Sequence, residues 1–183
     1  GFGLVPASRL GGGPSIQGQG KYKIDAGHST TIYNGECVKI SSGYVVGGNG
    51  SAADILGVLN GIFFNAATTL KPTFSNFYKA TITPANSEDT TAFVIDDPYQ
   101  QYVVAADDAT GVTTMLETYD MNTSAGSDTT GKSSSSLDIA TTSANGKQFR
   151  LLRSAEDPEN EDATAALASV IVVSNLNSFN GHN

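Results

Sequence analysis

A chain of 183 residues with 39% hydrophobic content is long enough for one globular domain with a sizeable core and short for two. Its charged fraction is only 15%, 20 glycines accompany it, and 18 acids against 10 bases give a formal net charge of -8. That field repels polyanions and anionic lipid, so nucleic acid and membrane are not expected partners.

Residues 1–20 hold Pro6, Gly11-Gly12-Gly13, Pro14, Gly18 and Gly20, with Phe2, Leu4, Val5, Leu10 and Ile16 as scattered apolar groups. Without periodicity and with glycine at this density, they predict an extended N-terminal arm, mobile or ordered by a partner. Arg9, Lys21 and Lys23 precede the first acid, Asp25, so this end is locally basic and suits an acidic partner surface. It lacks a charged segment followed by an apolar core, and no stretch is long and apolar enough to cross a bilayer. The expectation is a soluble protein made in a cytoplasm.

Residues 21–183 are expected to form a single β-rich domain. Short segments of β-branched and aromatic residues recur at 22–24, 31–33, 36–40 and 44–46, with Asn34-Gly35 as a hairpin dipeptide and Gly47-Gly48 as a second break. The near-continuous apolar run 55–64 predicts a central strand buried on both sides, with Gly57 and Gly61 marking a bulge or tight bend. An aromatic-rich segment, 77–83, follows. Segment 92–95 ends at Asp96-Asp97-Pro98, and 102–105 comes so soon after it that the two are expected to pair antiparallel. Val112, Met115, Leu116 and Tyr119 have helical spacing, with Asp108 or Thr110 as cap. Residues 122–136 are small and polar and read as an exposed loop, and 149–152 and 170–173 supply two late strands. The fold class is all-β, or β-rich with one short helix, as an antiparallel barrel or sandwich.

The string from Gly126 to Ser133, Gly-Ser-Asp-Thr-Thr-Gly-Lys-Ser, matches the phosphate-loop pattern in full, and Asp96-Asp97 closes an apolar segment as a metal-positioning acid would. The chemistry needs a buried parallel strand entering the loop and a helix leaving it, whose first amides bind phosphate. Neither flank qualifies: the preceding residues are polar, and Ser134-Ser135-Ser136 has no helical drive.

His28 and His182 are the only histidines and Cys37 the only cysteine, which excludes an intrachain disulfide and leaves no zinc-site spacing. Asp25 with His28 and a serine lacks a nucleophile elbow. The acid pairs Glu88-Asp89, Asp96-Asp97, Asp107-Asp108 and Glu156-Asp157 read as turn-forming acids, and Cys37 reads as a small core hydrophobe. No catalytic, cofactor or metal residues are assigned, and the chain is read as not an enzyme.

Ser8-Arg9-Leu10-Gly11-Gly12, Gly35-Glu36-Cys37-Val38-Lys39 followed by the stretch from Ile55 to Gly61, Val94-Ile95-Asp96-Asp97-Pro98, and Thr130-Gly131-Lys132-Ser133 with Leu137-Asp138 occur in an order that spans most of the chain. In these patches the sequence resembles virion structural proteins of marine and other tailed phages, of the capsid decoration or cement type. The resemblance implies no catalysis and no cofactor, a place on the capsid exterior, and binding to the major capsid protein, with self-association as a dimer or trimer a further option. On that reading the arm is the contact, extending along the neighbouring capsid subunit and adding a strand to an exposed sheet edge, with Phe2, Leu4, Leu10 and Ile16 filling shallow pockets and Arg9 pairing with a carboxylate on the shell. The alternatives are another virion role, fibre base or host attachment, and a nucleotide-binding enzyme built on the phosphate-loop match.

Overall fold

The computed structural model describes residues 1–15, 18–50, 54–124, 126–159, 162 and 164–179. In chain order the strands are β1 (Val5–Arg9), β2 (Gly20–Ile24), β3 (Cys37–Ser41), β4 (Tyr44–Gly47), β5 (Gly57–Asn65) and β6 (Pro72–Ser75). They continue as β7 (Thr90–Ile95), β8 (Gln100–Ala105), β9 (Thr118–Met121), β10 (Leu137–Ser143), β11 (Phe149–Ser154) and β12 (Ser169–Ser174). All strand pairs are antiparallel and fall into two sheets. One runs β1-β8-β12-β11-β9-β10; the other runs β2-β7-β5-β3-β4, with β6 added to the far half of β5.

Two apolar cores result, and β5 explains why. Val58 on β5 joins Cys37 and Ile95 against Tyr102, Val104, Tyr119, Phe149, Leu151, Val170 and Val172 of the other sheet. Leu59, the next residue, faces a second core with Ile24, Val38, Val45, Ala92 and Val94, and the bulge between Leu59 and Gly61 shifts the alternation so that Ile62 faces it too. That second core lies inside the curl of its own sheet, whose end strands β2 and β4 approach each other without forming a ladder. A strand serving both cores has no polar face, which is why 55–64 is nearly continuous in apolar residues. Each fully buried Leu, Ile, Val or Phe contributes roughly 1.5–3 kcal/mol. The architecture is an all-β sandwich and not a closed barrel.

A buried polar seam ties the sheets together. The Gln148 amide donates to the Gly48 carbonyl at 2.6 Å and accepts from the Met121 N–H at 3.0 Å. Asn49 accepts from the Cys37 thiol at 2.9 Å and donates to Ser135 at 2.5 Å, and the Ser133 hydroxyl donates to Ser135 at 2.8 Å. Residues 133, 135 and 136 are therefore buried, correcting the expectation that all of 122–136 is an exposed loop. Serines fit the seam because each hydroxyl satisfies a neighbour without needing the space of a larger polar group.

Three further expectations are corrected. The helix over 112–119 is absent: Val112–Thr114 is one turn of 3-10 helix, Met115 is extended, Leu116 has φ +65° and Tyr119 belongs to β9. Val112, Thr113, Thr114 and Thr118 are β-branched and Gly111 precedes them, so local propensity never favoured the helical period. β7 and β8 do not pair; they lie in different sheets, and 96–99 is the corner between them. Asp96 is held there by the Tyr22 hydroxyl at 2.6 Å and Asp97 by Arg9, so the two acids are pinned to β2 and β1 respectively. Segments 31–33 and 77–83 are not strands either; they meet in an isolated bridge between Ile32 and Tyr78, a hydrogen bond from the Ala80 N–H to the Thr31 hydroxyl and the stacked rings of Tyr33 and Phe77.

The arm is corrected as well. β1 is an edge strand of the chain's own sheet, paired to β8 through Val5 with Val103 and Pro6 with Tyr102. Leu4 is 2% exposed and sits in the inter-sheet core. The glycines predict loose backbone, but β8 supplies a free edge within the same molecule, and one buried leucine anchors the pairing.

Candidate docking face

The residues expected to form a contact arm do not converge on one surface. Leu4 is buried, and Arg9 spends its guanidinium on Asp97 of the same chain, at 2.7 Å, with the Tyr99 ring 5.7 Å away. Phe2 and Leu10 stay partly exposed near opposite ends of β1, and Ile16 lies outside the described residues.

A different apolar surface is formed by the outer face of the curled sheet. Because Ile62 and Ala92 point into its core, their neighbours Phe63 and Phe93 point outward. Phe74 on β6 is paired in register with Phe63, and the two rings lie 4.9 Å apart. Phe74 also stacks toward Phe93 at 6.2 Å and 17°. Gly61, in register with Phe93, leaves a gap in this row, and the resulting groove of about 430 Å³ is rimmed by Gln19, Asn60 and Asn76. Phe74 is 73% exposed, an unusual state for a side chain of its size. Lys21 and Lys23 on β2 face Phe93 and Thr91 across the ladder, so cations flank an apolar row on an otherwise acidic protein. The clue in the sequence was Phe63, which breaks the inward series of Leu59, Ile62 and Phe64.

The phosphate-loop-like string is a packing device. The Ser127 N–H donates to the Lys132 carbonyl at 2.9 Å and the Gly131 N–H to the Ser127 carbonyl at 2.7 Å, so amides that a phosphate would need are used within the turn. Asn34 brackets Lys132 in a parallel bridge, donating to Gly131 and accepting from Ser133. Gly126 lies against the Tyr33 ring, whose hydroxyl donates to Asp128 at 2.8 Å, and a Cβ there would collide with that ring. Gly131 has φ +70° and presses on Phe77 and Asn76. No helix follows Ser133; β10 begins at Leu137. The metal-positioning acid finds no such role, since Asp96 accepts from Tyr22, and burial together with that bond pushes the Tyr22 phenol up to about 12.

The remaining candidates are engaged locally. Asp25 accepts from the Gly27 N–H, Asp89 from Ala26, Asp107 from Ile139, Asp108 from Ala109 and Asp157 from Glu159. Cys37 is fully buried, as a core thiol should be, and burial pushes its pKa up. His28 is half-buried beside Tyr78, its Nε2 unpartnered, and burial lowers its pKa; His182 lies outside the described residues. Among the described residues no group of His, Cys, Asp and Glu is arranged to hold a metal. No protein-family model, curated protein or solved structure matches the chain.

Proposed function

We propose that this chain is a non-catalytic virion structural protein of a tailed phage, a decoration protein that binds the outer surface of the major capsid shell and stabilises it. The observation that carries the reading is the outward row Phe63, Phe74 and Phe93, with Phe74 73% exposed on a domain whose cores are already filled without it. Large aromatic side chains left on a rigid sheet face are the usual anchors of protein contacts, since little ordering entropy is lost when they are covered. The sequence resemblance supplies the partner class, and the charge agrees with it: an acidic body suits a position outside the shell, away from packaged DNA. Lys21 and Lys23 beside the row select a partner surface that is apolar with an acidic rim.

The test is co-sedimentation of the purified chain with mature heads that lack it, compared with isolated tails. Binding that saturates at a ratio tied to capsid subunits, and that weakens about tenfold or more in Phe74→Ser at unchanged thermal stability, is the expected result. Binding to tails alone, or to neither particle, would falsify the assignment.

A further inference from the structure

A second cleft, of about 420 Å³, opens between the turn at Tyr33, the end of β4 and the segment after β9, and shares no lining residue with the aromatic groove. Among the described residues its one ionisable carboxyl is Glu36. Gly35, at φ +79°, turns the chain so that Glu36 folds back: its Oε2 accepts the Tyr33 N–H at 2.9 Å. Oε1 lies beside Gly47, where a Cβ would come within 2.9 Å of it, and accepts no hydrogen bond among the described residues. Thr30, Thr123 and Ser124 line the same cleft, all three exposed, and their hydroxyls have no partner among the described residues. Asn49 is a fixed wall, since Cys37 and Ser135 occupy both ends of its amide.

The chemistry of that lining selects its ligand. Among the described residues no Lys or Arg lines the cleft, so an anion finds no cation there to pair with. An ammonium group would use only acceptors and would leave most of the volume empty. A sugar ring presents hydroxyls that donate and accept at once, as three free side-chain hydroxyls and a carboxyl require, and the volume is in the range of small-molecule sites. We propose that this cleft binds a saccharide of one or two rings, held by the Glu36 carboxyl and by the hydroxyls of Thr30, Thr123 and Ser124. Burial pushes the Glu36 carboxyl up to about 7, so near neutrality it supplies a donor as well as acceptors. The proposal stands apart from the docking face, and neither depends on the other.

The experiment is a titration of the full chain, followed by amide NMR, with methyl glycosides of glucose, galactose, mannose and N-acetylglucosamine, their disaccharides, and methylammonium as the cation control. The expected result is a saturable shift of the Thr31, Tyr33, Glu36 and Ser124 amides with at least one glycoside. Glu36→Gln and Thr123→Val should each weaken that binding about tenfold. If Glu36→Gln proves unfolded, Thr123→Val, at an exposed position, decides alone. No glycoside shift at these amides, a shift indifferent to the decisive variant, or a response to methylammonium only would overturn the proposal.

Discussion

The Arg9 guanidinium and the Asp97 carboxylate, 88 residues apart in sequence, meet at 2.7 Å and fasten the edge strand β1 to the corner where the chain leaves one sheet for the other. The pair is partly exposed, 45% for Arg9 and 16% for Asp97, so its own contribution is modest. A double-mutant cycle of Arg9→Ala and Asp97→Ala, read by urea unfolding, should return a coupling of about 0.5–1 kcal/mol. A coupling indistinguishable from zero would mean that β1 is held by Leu4 and the backbone ladder alone.

Leu4 carries more of that attachment. It is buried in the inter-sheet core, and Leu4→Ala should cost about 2–4 kcal/mol. Removing residues 1–10 should cost at least as much and also bare the edge of β8, giving a concentration-dependent tendency to associate in light scattering. A truncated chain as stable and as monodisperse as the full one would refute the role of β1 as a structural strand.

How far the sequence reveals this molecule depends on whether a signal is local. The central strand, its glycine bulge, the buried Cys37 and the late pair β11 and β12 were all legible, because apolar runs and glycine breaks report burial directly. β1 was not, since Val-Pro-Ala-Ser-Arg has no alternation of its own and is ordered by β8, which lies far along the chain. The β3–β4 hairpin turns at Ser42 and Gly43, both at positive φ, where Asn34-Gly35 had looked the better signal. The docking row was hidden for a related reason: Phe63, Phe74 and Phe93 are distant in sequence, and only the sheet register aligns them. The Glu36 cleft likewise needs a turn, a strand end and a separate loop to be in place together.

The glycines of the 126–133 string give a discriminating test, because a phosphate cradle and a ring-packing turn make opposite demands. Here Lys132 is exposed, and Lys132→Ala should change stability by less than about 0.5 kcal/mol. Gly131→Ala forces a Cβ into Phe77 and Asn76 at a positive φ, and should destabilise by about 2 kcal/mol or more. Calorimetric titration with magnesium ATP should show no saturable binding by the unmodified chain; binding that Lys132→Ala abolished would restore the nucleotide reading.

Glu36 makes the stability of the fold depend on pH in a direction opposite to that of most carboxylates. Burial raises its pKa from the ordinary 4.5 to about 7, outweighing the Tyr33 N–H bond that favours the charged form. Between those two values the native state holds a proton that the unfolded chain has released, so stability falls as pH rises through the window and stays low above it. The full difference is on the order of 3 kcal/mol. His28 works the other way, since its lowered pKa costs stability as pH falls through 6.5, and the comparison must therefore be made against a variant. Glu36→Gln keeps an acceptor for the Tyr33 N–H and cannot ionise. Urea unfolding from pH 5 to pH 8 should show the unmodified chain losing stability relative to Glu36→Gln as pH rises. Parallel curves for the two proteins would show that the carboxyl is solvated as an ordinary surface acid, and the cleft around it would then lack its defining group.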